Sequence, residues 1–327
     1  MSDARVTPVA AGPPRPSAPI ALMPAVLQRE WDLYHATWFT LMGVGGGIFL
    51  VARLLRVERA LGVWRGLPVV DLVSFVVISV GGLILLWSLG RPLRFLRAVL
   101  KPGTSWISRG AIADFIFLVV GGLLILPGLT LGDRTPFAGL PWDPWASTTA
   151  GRILEALALV SAVVVIVYAG LVLADQAAVT FWRSWAIPAQ FMLSSLAMST
   201  AIVMLLATLN GAPIDARECW LLACSLLLLL VSIVWHLVTD MDRPGKVESL
   251  ARLWSTYSVA FFGGVLAAGT VLPTLLAVLG AVAPGARDAI GVIDVVATVA
   301  GGFALRLLTL RVGFFPPVSG VLRVPKR

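Results

Sequence analysis

Apolar residues run along this chain in blocks too long for the strands or amphipathic helices of a soluble domain. Taking about 20 apolar residues as one crossing of roughly 30 Å of hydrocarbon, at about 1.5 Å per residue, the pattern predicts spans over 33–53, 68–89, 110–131, 152–174, 187–209, 218–239, 256–280 and 290–312. Eight spans put both termini on one side, designated side A, with side B opposite. Asp294 and Arg306 interrupt the last span, and such residues normally turn toward protein or a polar cavity.

The polar stretches complete the organisation. Residues 1–31, with Pro8, Pro13, Pro14, Pro16 and Pro19, contain no apolar region of signal-peptide length and read as a retained flexible tail. The expected layout is that tail, a four-helix bundle over 32–180, a second over 181–315 and a C-terminal tail over 316–327. A faint repeat underlies the halving: Phe39 and Leu41 precede Phe191 and Leu193 by 152 residues, as Arg91-Pro92 precedes Arg243-Pro244. Copies separated by four helices share one orientation, giving two parallel bundles.

Composition sets the class. With 58% hydrophobic and 13% charged residues among 327, the chain has too little polar surface to enclose a soluble core. The fold class is an all-α membrane protein with eight transmembrane helices in two four-helix bundles. A net charge of +8 would suggest nucleic acid in a soluble protein, but here many cations sit at the ends of apolar runs, as juxtamembrane residues do, so no nucleic-acid partner is expected. Assigning each Lys and Arg to its nearer side puts about 17 on side A and about 8 on side B, which by the positive-inside rule makes A cytoplasmic. Cys219 and Cys224 are the only cysteines, too few for an iron-sulfur cluster, which needs four thiolates.

Polar residues inside the spans carry the candidate chemistry. Near side A lie His35, Asp114, Tyr168, Asp175, His236, Asp240 and Arg306; near side B lie Asp71, Glu155 and Asp294. Tyrosine, histidine and carboxylates near one surface suit a greasy ligand that accepts hydrogen bonds at two oxygens and exchanges protons, such as a quinone. Plainer readings stand beside this one. His35 and His236 can bond backbone or lipid headgroups, Asp114 can pair with Arg109, Tyr168 can belong to an interfacial aromatic belt, and the glycine pairs can serve close helix packing. Bis-histidine haem ligation needs both imidazoles at matching depth across a pocket; each histidine sits near a helix end, so no haem is expected. The rival classes are a secondary transporter, whose site would lie at the bilayer midplane, and a haem b-containing quinol oxidoreductase subunit.

The connector "LGRPLRFLRAVLKPGTSWISRGA" gathers Arg91, Arg94, Arg97, Lys101 and Arg109. Together with "VYAGLVLADQ" and "FWRSWAIPAQFMLSSLAMSTA", it resembles the NrfD/PsrC family of polysulfide reductase-like membrane subunits of molybdoenzyme complexes. The similarity covers spans one to six well and seven to eight loosely. The resemblance implies a subunit of the bacterial or archaeal cytoplasmic membrane that carries no haem or cluster of its own. It implies exchange of electrons between menaquinone or ubiquinone and a four-cluster iron-sulfur subunit, itself wired to a molybdopterin (Mo/W) catalytic subunit. On that reading Tyr168 and His35 contact the quinone and Arg109 orients the pocket's carboxylates. Asp114, Asp175 and His236 handle protons, and Arg91, Arg94, Arg97 and Lys101 dock the cluster subunit. Trp38 stands where a polysulfide reductase relative would have a histidine.

Overall fold

In this computed structural model, residues 20–88, 99 and 101–320 are described. They form nine helices and three short two-stranded ribbons. In chain order the helices are α1 (Leu33–Leu55), α2 (Val69–Ser88), α3 (Trp106–Ile125), α4 (Thr149–Ala174), α5 (Ala186–Leu209), α6 (Ala216–Val238), α7 (Lys246–Ser255), α8 (Val259–Val282) and α9 (Arg287–Arg311). All but α7 contain a segment long and apolar enough to cross a bilayer, so eight spans are present.

Several helices start where a capping residue dictates, not where apolar character begins. Ser105 accepts a bond from the Ser108 N–H and starts α3 before the expected 110. Thr148, accepting from the Gly151 N–H, starts α4 before 152. Short polar side chains at these positions satisfy amides that the helix leaves unpaired. In α8 the segment Val259–Val271 is wound as a π-helix, and Thr270 Oγ1 donates to the Val265 carbonyl five residues back. The connector expected between Asp240 and Arg252 contains α7.

α1 packs on α2 and α4, and α3 on α4, forming one set; α5, α6, α8 and α9 form the other. α1 sits at the centre, with 83% of its span window buried against 28% for α2, whose Val76 and Leu83 face outward where lipid would lie. The two sets meet chiefly through α1 and α5. There the repeat becomes physical. Phe39 and Phe191 stack edge to face at 5.6 Å. A Cβ on Gly43 would lie 2.2 Å from Ser195 Oγ, one on Gly47 would lie 2.2 Å from Ser199 Oγ, and both pairs are again 152 residues apart. Residues that face their own counterparts are the mark of a two-fold contact, and small side chains let the two backbones approach.

The two ends of the described chain, residues 20–27 and 314–320, are tied together on side A. β1 (Ile20–Met23) pairs with β6 (Val318–Gly320) and β2 (Val26–Leu27) with β5 (Phe314–Phe315), and buried Gln28 donates to the Leu310 carbonyl. The stretch 20–31, expected as free tail, is thus pinned to the end of α9. On side B, β3 (Val63–Trp64) and β4 (Leu67–Pro68) form a hairpin whose turn residues Arg65 and Gly66 both have positive φ, the backbone twist that a two-residue hairpin prefers.

Candidate functional site

His35 stands at the third position of α1, and its Nδ1 lies 3.0 Å from the Asp32 carboxylate and 3.4 Å from the Asp32 N–H. This is a capping box. Partial burial tends to raise the Asp32 carboxyl, but the bonds from His35 and Tyr34 outweigh it and hold the group below its ordinary value. His35 is therefore employed at the helix start.

One turn further along the same face lies Trp38, 1% exposed. Its ring is 6.5 Å from His35 on one side and stacks on Tyr168 at 6.2 Å on the other. Trp38 thus stands between the two residues expected to share a ligand. Tyr168, also 1% exposed, is pressed against Gly110 of α3, where a Cβ would come within 2.2 Å of the phenol ring. Asp114, one turn deeper on α3, interacts electrostatically with Tyr168, and its Oδ2 lies 3.9 Å from the Cβ position of Gly82 on α2. Trp38 Nε1 and Asp114 Oδ1 are shielded from solvent and find no hydrogen-bond partner among the described residues. Buried donors and acceptors left unmatched are costly. A free donor and a free acceptor near a tyrosine at the side A end of the first helix set are chemically able to hydrogen-bond a polar group. In the sequence Trp38 stands out only as a departure from the family pattern; its i,i+3 spacing from His35 is the signal for its place here.

Asp175 is not in this cluster. It ends α4 two turns nearer the surface and lines a cleft of about 700 Å³ with Trp106, Leu171, Arg183, Trp185 and Arg243. Arg109 pairs with no carboxylate among the described residues. It donates to the carbonyls of Pro102 and Gly103 and lies 4.3 Å over the Trp106 ring, clamping the loop ahead of α3. Lys101 is exposed in that loop; Arg91, Arg94 and Arg97 lie outside the described residues.

His236 belongs to the other helix set. It is 3% exposed, stacks edge-on with Phe181 at 4.7 Å, and has both ring nitrogens without a partner among the described residues. The void beside it, about 20 Å³, is lined by Gln190, Phe261, Leu305 and Thr309, and neither Tyr168 nor Asp114 lines it. Gln190 is the repeat counterpart of Trp38, 152 residues on. The side A polar groups therefore do not form one site. The stacked rings of Trp31, Phe39, Trp182 and Phe191 run through the junction between the sets.

Two of the side B carboxylates, Asp71 and Glu155, are held in one ion network. Buried Arg53 donates to Asp71 at 2.5 Å and lies 3.3 Å from Glu58 and 3.8 Å from Glu155, which also accepts from Arg56 at 2.9 Å. Arg53 and Glu58 were not singled out by the sequence reading, because both sit at a helix end where charge is ordinary. Arg306, 0% exposed, turns inward as expected and donates to the carbonyls of Gly302 and Phe191 and to Ser195 Oγ.

No curated protein matches the chain. The family model described as polysulphide reductase, NrfD, matches residues 25–317, a stretch that holds all eight spans, the Trp38, Asp114 and Tyr168 cluster and the side B ion network. This chain is a multi-pass membrane protein that belongs to the polysulphide reductase NrfD family.

Proposed function

We propose that the chain is the quinone-reactive membrane anchor of an iron-sulfur and molybdopterin oxidoreductase complex of a bacterial or archaeal cytoplasmic membrane. It passes electrons between menaquinone or ubiquinone and a partner's iron-sulfur clusters. The observation that carries this reading is the pair of unmatched buried groups, Trp38 Nε1 and Asp114 Oδ1, on either side of Tyr168. Quinone carbonyls accept hydrogen bonds, and the indole N–H and phenol O–H supply them. Asp114 holds or yields the proton that accompanies each electron, a role suited to a carboxyl placed within reach of the reacting oxygen. Because Trp38 and Tyr168 already touch, the headgroup enters from the cleft at Leu171 and Trp106, one helical turn toward the surface. Asp175 at the cleft wall connects that proton to side A.

The cations around Arg91, Arg94, Arg97 and Lys101 form the docking face for the iron-sulfur subunit, their charge steering association. Tyr168→Phe tests the site. The variant is expected to assemble with its partners and to lose quinone turnover, and unchanged quinone kinetics would remove Tyr168 from the site. An iron-sulfur subunit that co-purifies excludes the transporter reading, and a Soret band in the purified chain would support the haem one.

A further inference from the structure

Asp71, Glu155 and Asp294 all lie toward side B, yet their surroundings differ in kind. The first two are bound by Arg53 and Arg56. Asp294 is 0% exposed, and neither of its oxygens has a hydrogen-bond partner among the described residues. One turn further along α9, Thr298 is 1% exposed and its Oγ1 is likewise unmatched. The next charged residue of α9 beyond Asp294 is Arg306, 12 positions on, or about 18 Å at 1.5 Å per residue, too far to pair.

Among the described residues, the other groups packed around this end of α9 do not supply a counter-charge. Arg287 spends its guanidinium on the carbonyls of Gly280, Ile214 and Ala281. On α6, Cys219 is near enough to feel Asp294 electrostatically, and Glu218 accepts the Asp215 N–H, while Asp215 pairs with Arg217. α5 and α8 bring Thr208 beside Gly291 and Gly280 beside Ile290. An anion cannot persist in hydrocarbon without a cation or donors.

We propose that Asp294 is a membrane-embedded proton-binding carboxyl. It carries a proton inside the second helix set and exchanges it toward side B, with Thr298 as the neighbouring hydroxyl that hydrogen-bonds the carboxyl during exchange. Asp294 lies seven residues from the start of α9 at Arg287, about 10 Å of helix, so the path to side B is short. The Arg53 network in the first set has the opposite character: each of its carboxylates lies against a guanidinium, and the ion pairs tie helix ends together.

Dicyclohexylcarbodiimide distinguishes the two. A protonated carboxyl in an apolar site adds across the carbodiimide through its oxygen, its proton passes to nitrogen, and acyl transfer then leaves a stable acylurea. The intact membrane complex, treated with this reagent and mapped by peptide mass spectrometry, is expected to carry the adduct on Asp294 and on neither Asp71 nor Glu155. Labelling should weaken in alkaline buffer and should persist in sodium chloride. No adduct on Asp294, or equal labelling of Asp71, would overturn the assignment; protection by sodium would replace the proton with a metal cation and overturn it equally. The readout is made on the wild-type chain and does not involve quinone turnover, so it succeeds or fails independently of the site around Tyr168.

Discussion

At the scale of single residues, the decisive quantity is whether a buried polar group has a partner. Arg53 has several, and removing it leaves Asp71 and Glu155 with much of their charge uncompensated. Arg53→Ala is therefore expected to destabilise the chain by about 3–5 kcal/mol, the cost of breaking a buried ion pair from one side, read as a lowered melting temperature in detergent. Trp38 Nε1 has no hydrogen-bond partner among the described residues, so Trp38→Phe keeps the stacking on Tyr168 and deletes only the N–H. Melting should be unchanged while quinone kcat/KM falls about tenfold, the equivalent of one hydrogen bond of roughly 1.4 kcal/mol. Neither role could be read along the chain. Arg53 meets Asp71 18 positions away and Glu155 102 positions away, and Trp38 meets Tyr168 only because α1 and α4 pack.

At the scale of elements, two devices stand out. The α1–α5 contact depends on Gly43 and Gly47 having no side chain, since Ser195 and Ser199 occupy the space a Cβ would take. Gly47→Leu is expected to cost more than the roughly 1–3 kcal/mol typical of overpacking a core, because a whole isobutyl group must be accommodated; loss of the folded monomer in size-exclusion chromatography would register it. The start of α1 depends on Asp32. Its carboxyl is held below the ordinary value by His35 and Tyr34, so the cap's contribution is full above the unfolded carboxyl's pKa and fades as pH falls through the lower folded one. Amide exchange in the first turn of α1 should accelerate on acidification below about pH 4, and Asp32→Ala should abolish that dependence. The spans themselves were legible to within a few residues. Their starts shifted where Ser105 or Thr148 took the capping role, a local hydrogen-bond effect that hydropathy does not register.

At the scale of the molecule, the two helix sets face each other through residues 152 apart, but their chemistry is not duplicated. The first holds Trp38, Asp114 and Tyr168 at its side A end. The second has Gln190 and His236 around a void of about 20 Å³, room for a water and not for a ring. The proposed quinone chemistry accordingly falls to the first set. Replacing Arg91, Arg94 and Arg97 together with Ala is expected to release the iron-sulfur subunit from membranes without altering the melting of this chain; retention of the partner through affinity purification would reject the docking role of that loop.

Hydropathy is a property of the chain read in order, and an apolar run of sufficient length has only one stable use in water and lipid. That is why the number of spans, the all-α class and the inward turn of Arg306 are legible in the sequence alone, while the family resemblance rests on local motifs. Which buried polar groups are satisfied is a different matter. It depends on how each helix is rotated about its axis and on which neighbour it meets. Those choices separated His236 from Tyr168 and set Trp38 between Tyr168 and His35. They joined Asp71 and Glu155 to Arg53 and left Asp294 without a partner among the described residues, because burial makes a charge costly and packing alone decides whether a partner arrives.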